Sequence, residues 1–138
     1  MRKLNRIALF GAALALSAGA SAASFDFTGS STSGIASSDG AITVNLSTPS
    51  GSVTTSSSGV GVKDGFWNLP SIQNNETLRL DFSVATDIGG LFLTGWEAAD
   101  RLTLTYDGGV VDINDEHNNW SSDDHYAIGL TGVTFLTL

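Results

Sequence analysis

The feature that most constrains this chain is the alternation of apolar and polar residues within residues 75–106. In residues 78–84 the four even-numbered positions are apolar and the positions between them are polar. Because successive side chains of a β-strand point to opposite faces, this pattern predicts a strand with one buried face. Residues 90–96 and 102–106 predict two further strands of the same sheet, with a connection at 87–90 before the first of them.

Short strand-like segments recur along the rest of the chain. Residues 42–46 alternate, residues 59–62 combine glycine with valine, and residues 126–138 alternate with interruptions at glycines. Asp107-Gly108 separates two apolar runs and predicts a hairpin turn, because aspartate and glycine adopt the positive φ angles of tight turns.

The composition agrees with a chain made of strands and turns. Ser, Thr and Gly are abundant, with 16 Gly in 138 residues, and no segment keeps a helical period over the length of a helix. The sequence therefore predicts an all-β protein, an antiparallel β-sandwich of jelly-roll or immunoglobulin-like type, with about eight to ten short strands.

The first residues predict a signal peptide at 1–22. Basic residues precede an apolar run at 7–18, and small residues form an A-x-A cleavage signal at 20–22. The apolar run is shorter than the roughly 20 residues of a membrane-spanning helix, so no membrane span is expected in the mature chain. We expect cleavage after Ala22, which leaves residues 23–138 as a single β-sandwich domain.

The net charge of the mature chain limits the classes of partner that we expect it to bind. The full sequence has a net charge of −8, and removing the leader leaves Lys63, Arg79 and Arg101 against 14 acidic residues, a net charge of −11. Such a surface repels phosphate groups, so neither nucleic acid nor an anionic membrane surface is an expected partner. Cations are more plausible ligands. The chain has no cysteine, so stability must come from an apolar core, with or without a bound metal in addition.

Residues 114–124 form a polar, acidic segment. Together with Asp112 just before it, this segment carries oxygen side chains at alternate positions, as calcium loops do. Against a calcium site, His117 stands where such a loop has its glycine, and no helix is expected on either side. A solvated polar connection is the alternative. The candidate calcium ligands are Asp112, Asn114, Glu116, Asn118 and Asp123.

Aromatic residues suggest a second kind of site. Trp67, Trp120 and Tyr126 are candidates for carbohydrate binding, because flat aromatic faces stack against the C–H surfaces of sugar rings. Trp120 lies in a polar segment, whereas Trp96 ends an apolar strand and is expected in the core.

Catalytic patterns are scarce. No G-x-S-x-G nucleophile motif occurs, and a carboxylate pair such as Asp81 with Glu97 indicates a glycosidase only if its separation fits. We therefore expect no enzymatic activity.

Part of the chain resembles the bacterial exosortase-associated surface proteins, which usually end in a PEP-CTERM sorting tail. The resemblance rests on GVGV at 59–62, NNETLRLDF at 74–82, LFLTGW at 91–96 and the acidic turn that ends near Gly108. It implies a protein secreted to the cell surface, envelope or extracellular matrix. The sequence stops at Leu138 without Pro-Glu-Pro, which indicates free release or a fragment.

Together these observations predict a secreted, non-enzymatic cell-surface or extracellular-matrix β-sandwich with a structural or adhesive role. Its expected partners are extracellular polysaccharide or other surface proteins. The alternative is a calcium-dependent carbohydrate-binding module that uses the acidic segment and the exposed aromatic residues.

Overall fold

In a computed structural model of the chain, all helical or strand structure of the described residues is β-strand. All strand pairs in the described residues are antiparallel, which confirms the all-β antiparallel class. No helix in this part of the chain is long and apolar enough to cross a membrane. The structure describes residues 8–14, 23–29, 31–57, 59–63, 72, 76–94, 101–114 and 123–138.

The described ranges contain ten strands. Nine of them lie after position 22, within the eight to ten that the sequence predicts for the mature chain, but two of these, of 16 and 15 residues, are not short. Their bounds are β1 (Ala8–Leu14), β2 (Ala23–Ser24), β3 (Ile35–Ala36), β4 (Thr43–Ser47), β5 (Ser52–Ser56), β6 (Gly59–Lys63), β7 (Arg79–Thr94), β8 (Arg101–Tyr106), β9 (Gly109–Asn114) and β10 (Asp123–Thr137).

Two long strands, β7 and β10, organise the sheet. The sequence predicts a connection at 87–90, but β7 runs through it as one strand of 16 residues, so that prediction is wrong. The reason is pairing along the segment: Ile88 lies opposite Leu130 and Gly90 opposite Ala127 of β10, so the ladder continues where a connection is predicted. β10 follows β7 for most of its length, from Asp123 opposite Thr94 to the far end of the strand.

Each end of the β7–β10 pair carries its own set of strands. The start of β7 pairs with β4, and the end of β10 pairs with β8, which pairs with β9. We call the start of β7, the end of β10 and strands β4, β8 and β9 the first wing. The end of β7 pairs with β1, which pairs with β6, and β6 pairs with β5. We call the end of β7 and strands β1, β5 and β6 the second wing. Its strand β1 lies inside the predicted signal peptide.

The two wings meet where β7 and β10 lose their register. Val133 lies opposite Thr86 and Phe135 opposite Asp81, so β7 has several extra residues between these pairs. Val84, which the alternation predicts on the buried face, lies in this bulge and is 52% exposed, so that prediction is wrong. Thr86 takes a buried position instead, and its hydroxyl has no hydrogen-bond partner.

The buried side chains of both wings form one hydrophobic cluster. Phe25 and Phe27, which follow β2, stack with ring centroids 6.1 Å apart, and Phe25 also contacts Phe82 of β7 at 5.9 Å. The largest fully buried side chains are Phe25, Phe27, Leu78, Leu80, Ile88, Leu91, Leu93, Leu104 and Leu136.

Candidate functional site

The outward-facing residues of the first wing form a continuous polar surface. They alternate along each strand with buried residues, and no member of the set is itself buried. Most carry a hydroxyl, an amide or a charge. We call this surface the polar face: Thr43, Asn45, Ser47, Arg79, Asp81, Ser83, Arg101, Thr103, Thr105, Val110, Asp112, Phe135 and Thr137.

Strand register places these residues in rows across the sheet. One row runs through five strands, because directly opposite residues of antiparallel strands point to the same side. Adjacent strands are about 4.8 Å apart, so the row is about 19 Å long. Its members are Ser47, Arg79, Thr137, Thr105 and Val110.

Arg79 is held at the centre of the polar face by two neighbours. Its Nε donates to both carboxylate oxygens of Asp81, at 2.9 and 3.1 Å, and an outer guanidinium nitrogen lies 2.8 Å from Asp81 Oδ1. Its guanidinium carbon lies 4.2 Å from the centroid of the Phe135 ring. The hydrogen bond to Asp81 raises the pKa of Arg79, and the negative charges of Asp81 and Asp107 raise it further. The guanidinium is therefore charged, and it is contacted by Asp81 and by the ring of Phe135.

Asp107 lies at the edge of this cluster, in the turn between β8 and β9. Its carboxylate accepts hydrogen bonds from the Thr134 hydroxyl and from the backbone N–H groups of Thr134 and Phe135, the latter two at 2.9 and 3.2 Å. These bonds, led by that of the Thr134 hydroxyl, lower the pKa of Asp107 to about 2. Asp107 is therefore ionised at neutral pH, and it joins the turn of the predicted hairpin to β10.

Asp112 is the predicted calcium ligand whose side chain the structure describes. It is exposed on β9, opposite Thr103 of β8, and its Oδ1 accepts a 2.7 Å hydrogen bond from the Thr103 hydroxyl. Asn114 and Asp123 are described only through their strand pairing, opposite Arg101 and Thr94. Glu116 and Asn118 lie outside the described residues.

The calcium site therefore stays a prediction. The described side chains contain no group of three or more histidine, aspartate and glutamate residues placed to hold a metal ion. This observation does not cover Glu116 and Asn118, which lie between β9 and β10, or the side chains of Asn114 and Asp123.

The predicted carbohydrate-binding aromatic residues are only partly described. Tyr126 lies in β10 opposite Leu91 and is half-buried against the core, which leaves one part of its surface accessible. Trp67 and Trp120 lie outside the described residues. Their role in binding sugars stays a prediction.

The polar face differs in charge from the rest of the mature chain. It carries Arg79 and Arg101, two of the three basic residues that remain after position 22. Asp81 and Asp112 lie on the same face, so opposite charges nearly balance there. The polar face is therefore close to neutral, although the mature chain as a whole is strongly acidic.

Sequence reasoning did not identify the cluster around Arg79. The alternation puts Arg79 and Asp81 on the same side of one strand, which is the signal that was available. Phe135 is 56 positions from Arg79 in the sequence, and only strand register brings the two together. Comparisons of the chain with protein-family models, with curated proteins and with solved structures found no match.

Proposed function

We propose that the mature chain is a secreted, non-enzymatic β-sandwich domain that adheres to polysaccharide at the cell surface or in the extracellular matrix, through its polar face. In this proposal the two wings pack face to face to form the sandwich, and the second wing of the mature chain lacks β1. A single hydrophobic cluster that draws on both wings supports this arrangement.

The observation that carries the proposal is the row of side chains across five strands, in which four strands contribute a polar residue and β9 contributes Val110. Hydroxyl and amide groups both donate and accept hydrogen bonds, as sugar hydroxyls do. Strands hold these groups at regular spacing, so little side-chain or backbone order must be gained on binding. An extended polymer can contact several of these groups at once, and the weak contacts together give a higher affinity than any one of them.

The place of action rests on sequence features. The leader pattern at 1–22 and the resemblance to exosortase-associated proteins both point outside the cell. The excess of acidic residues keeps the domain away from anionic lipid and nucleic acid, which favours neutral polymers as partners.

Binding of the processed domain to a panel of insoluble polysaccharides and to a glycan array tests the proposal. Thr105→Glu places a charge in the middle of the polar face and is expected to reduce binding at least tenfold. Ser52→Glu is the matched control: it adds the same charge at an exposed position of β5, in the second wing, and should leave binding unchanged. Equal losses in both variants, or no binding to any glycan, would contradict the proposal.

A calcium-dependent carbohydrate-binding module is the second candidate. It is favoured by Asp112, which is exposed on β9 just before the acidic segment and is thereby accessible as the first ligand of a loop. In this candidate the loop and its aromatic residue Trp120 bind the sugar, and the polar face does not. Loss of binding on removal of calcium, with Thr105→Glu unaffected, would distinguish it.

A further inference from the structure

Strand β1 lies between strands β6 and β7 and pairs with both. We call the space that it fills the gap. Leu9 is paired on both sides, with Val60 of β6 and with Leu93 of β7. The pairing with β7 continues through Ala12 opposite Leu91 and Ala13 opposite Gly90. Within the described residues, β6 has no pairing with β7 of its own, so β1 is what joins the β5–β6 hairpin to the rest of the sheet.

The same residues form the apolar run of the predicted signal peptide, so they cannot serve both purposes in one mature chain. Cleavage after Ala22 removes β1 and leaves backbone N–H and C=O groups of β6 and β7 facing each other without a strand between them. Unpaired strand edges of this kind accept an added strand, because the new backbone hydrogen bonds replace those that were lost.

The mature chain's own first residues are not free to fill this gap. Ser24 accepts a 2.8 Å hydrogen bond from the backbone N–H of Ser38, and its own N–H donates to the Ser38 hydroxyl. Phe25 and Phe27 are each only 1% exposed in the core. The segment after the cleavage position is thereby anchored beside the gap, and only two residues precede the first buried phenylalanine.

We propose that removal of the leader opens a strand-addition site between β6 and β7, and that its occupant is an extended segment of another polypeptide. The chemistry of β1 defines what the site accepts: an uncharged stretch of about seven small and apolar residues, of the type ALFGAAL. The site is distinct from the polar face, so the domain has one surface for polysaccharide and one for a protein strand.

Hydrogen exchange of the processed chain tests this proposal. Its intact mass first establishes cleavage after Ala22. The amides of 90–94 that face the gap are expected to exchange at least tenfold faster than those of 79–82, which remain paired with β4 and β10. A synthetic peptide of residues 8–14 with added terminal lysines for solubility should slow the exchange at 90–94 to the level of 79–82.

The matched control is the same peptide with Leu9→Pro. Proline lacks the backbone N–H at the position paired on both sides, so this peptide should not protect 90–94. If the processed chain is unfolded without peptide, refolding by the native peptide alone also supports the proposal. An exported chain that keeps residues 8–14, slow exchange at 90–94 without peptide, or equal protection by both peptides would overturn it.

Discussion

The guanidinium of Arg79 lies over the ring of Phe135 on the neighbouring strand, 4.2 Å from its centroid, while Asp81 holds it from the side. The positive charge is attracted by the electron-rich ring face, and the bonds to Asp81 keep it there. This contact couples β7 to β10 at the centre of the polar face.

We expect Phe135→Leu to lower the free energy of unfolding by about 0.5–1 kcal/mol through loss of this cation–ring attraction. In a background with Arg79→Ala, the same substitution should cost less, because the attraction is already absent. Chemical denaturation of the four proteins of this double-mutant cycle measures the coupling. Strictly additive effects would show that the two side chains are neighbours without a net interaction.

The lowered pKa of Asp107 predicts how the free energy of unfolding depends on pH. Its folded pKa of about 2 lies below the roughly 3.9 of an unfolded aspartate, so the carboxylate stabilises the fold above about pH 4. This contribution falls as pH decreases from about 4 and is lost once the pH passes below 2. Asp107→Asn keeps a turn-compatible residue but cannot titrate. Unfolding curves between pH 5 and 2 should therefore converge for wild type and variant; parallel curves would contradict the assignment.

Leu80 and Val84 occupy the same strand but opposite environments. Leu80 is fully buried between Leu46 and Leu136, whereas Val84 is 52% exposed in the bulge. Leu80→Ala is expected to cost about 2–5 kcal/mol, since it leaves a cavity. Val84→Ala is expected to change stability by less than about 0.5 kcal/mol. Thermal or urea unfolding compares them directly, and similar losses would mean that Val84 is part of the core.

Local pattern predicts several of the strands, although it wrongly divides β7 at 87–90, and it does not predict how the strands are arranged. Alternation predicts β4 and β8, and Asp107-Gly108 predicts the hairpin that joins β8 to β9. The two wings depend on pairs far apart in sequence, such as the Thr43 N–H that donates to the Ser83 hydroxyl at 3.0 Å. No local signal encodes such pairs. The bulge that exposes Val84 likewise arises where β7 pairs with β10, between the pairs Thr86–Val133 and Asp81–Phe135, so alternation within β7 alone misplaces Val84.

Gly132 permits the bends of β10. Its φ of 65° lies in the left-handed region, although a Cβ there would meet no atom within 4 Å. Gly132→Ala should therefore cost about 1–2 kcal/mol from backbone strain alone. Gly132→Asn should cost less, because asparagine tolerates this conformation. Gly29→Ala is the control, with equally open space and no positive φ. Equal stabilities of all three variants in denaturation would contradict this account.

A calcium-dependent module should be stabilised by calcium, whereas the adhesive proposal predicts no such effect. A site that binds only the folded chain adds about 2.7 kcal/mol at 100 times its dissociation constant, so millimolar calcium should raise the melting temperature. Asp112→Ala removes the first predicted ligand and should abolish most of this rise. Magnesium at equal ionic strength is the control, because an acidic chain also gains stability from screening of its own repulsion. Equal shifts with both ions indicate screening, and they would leave the segment between β9 and β10 as a solvated connection.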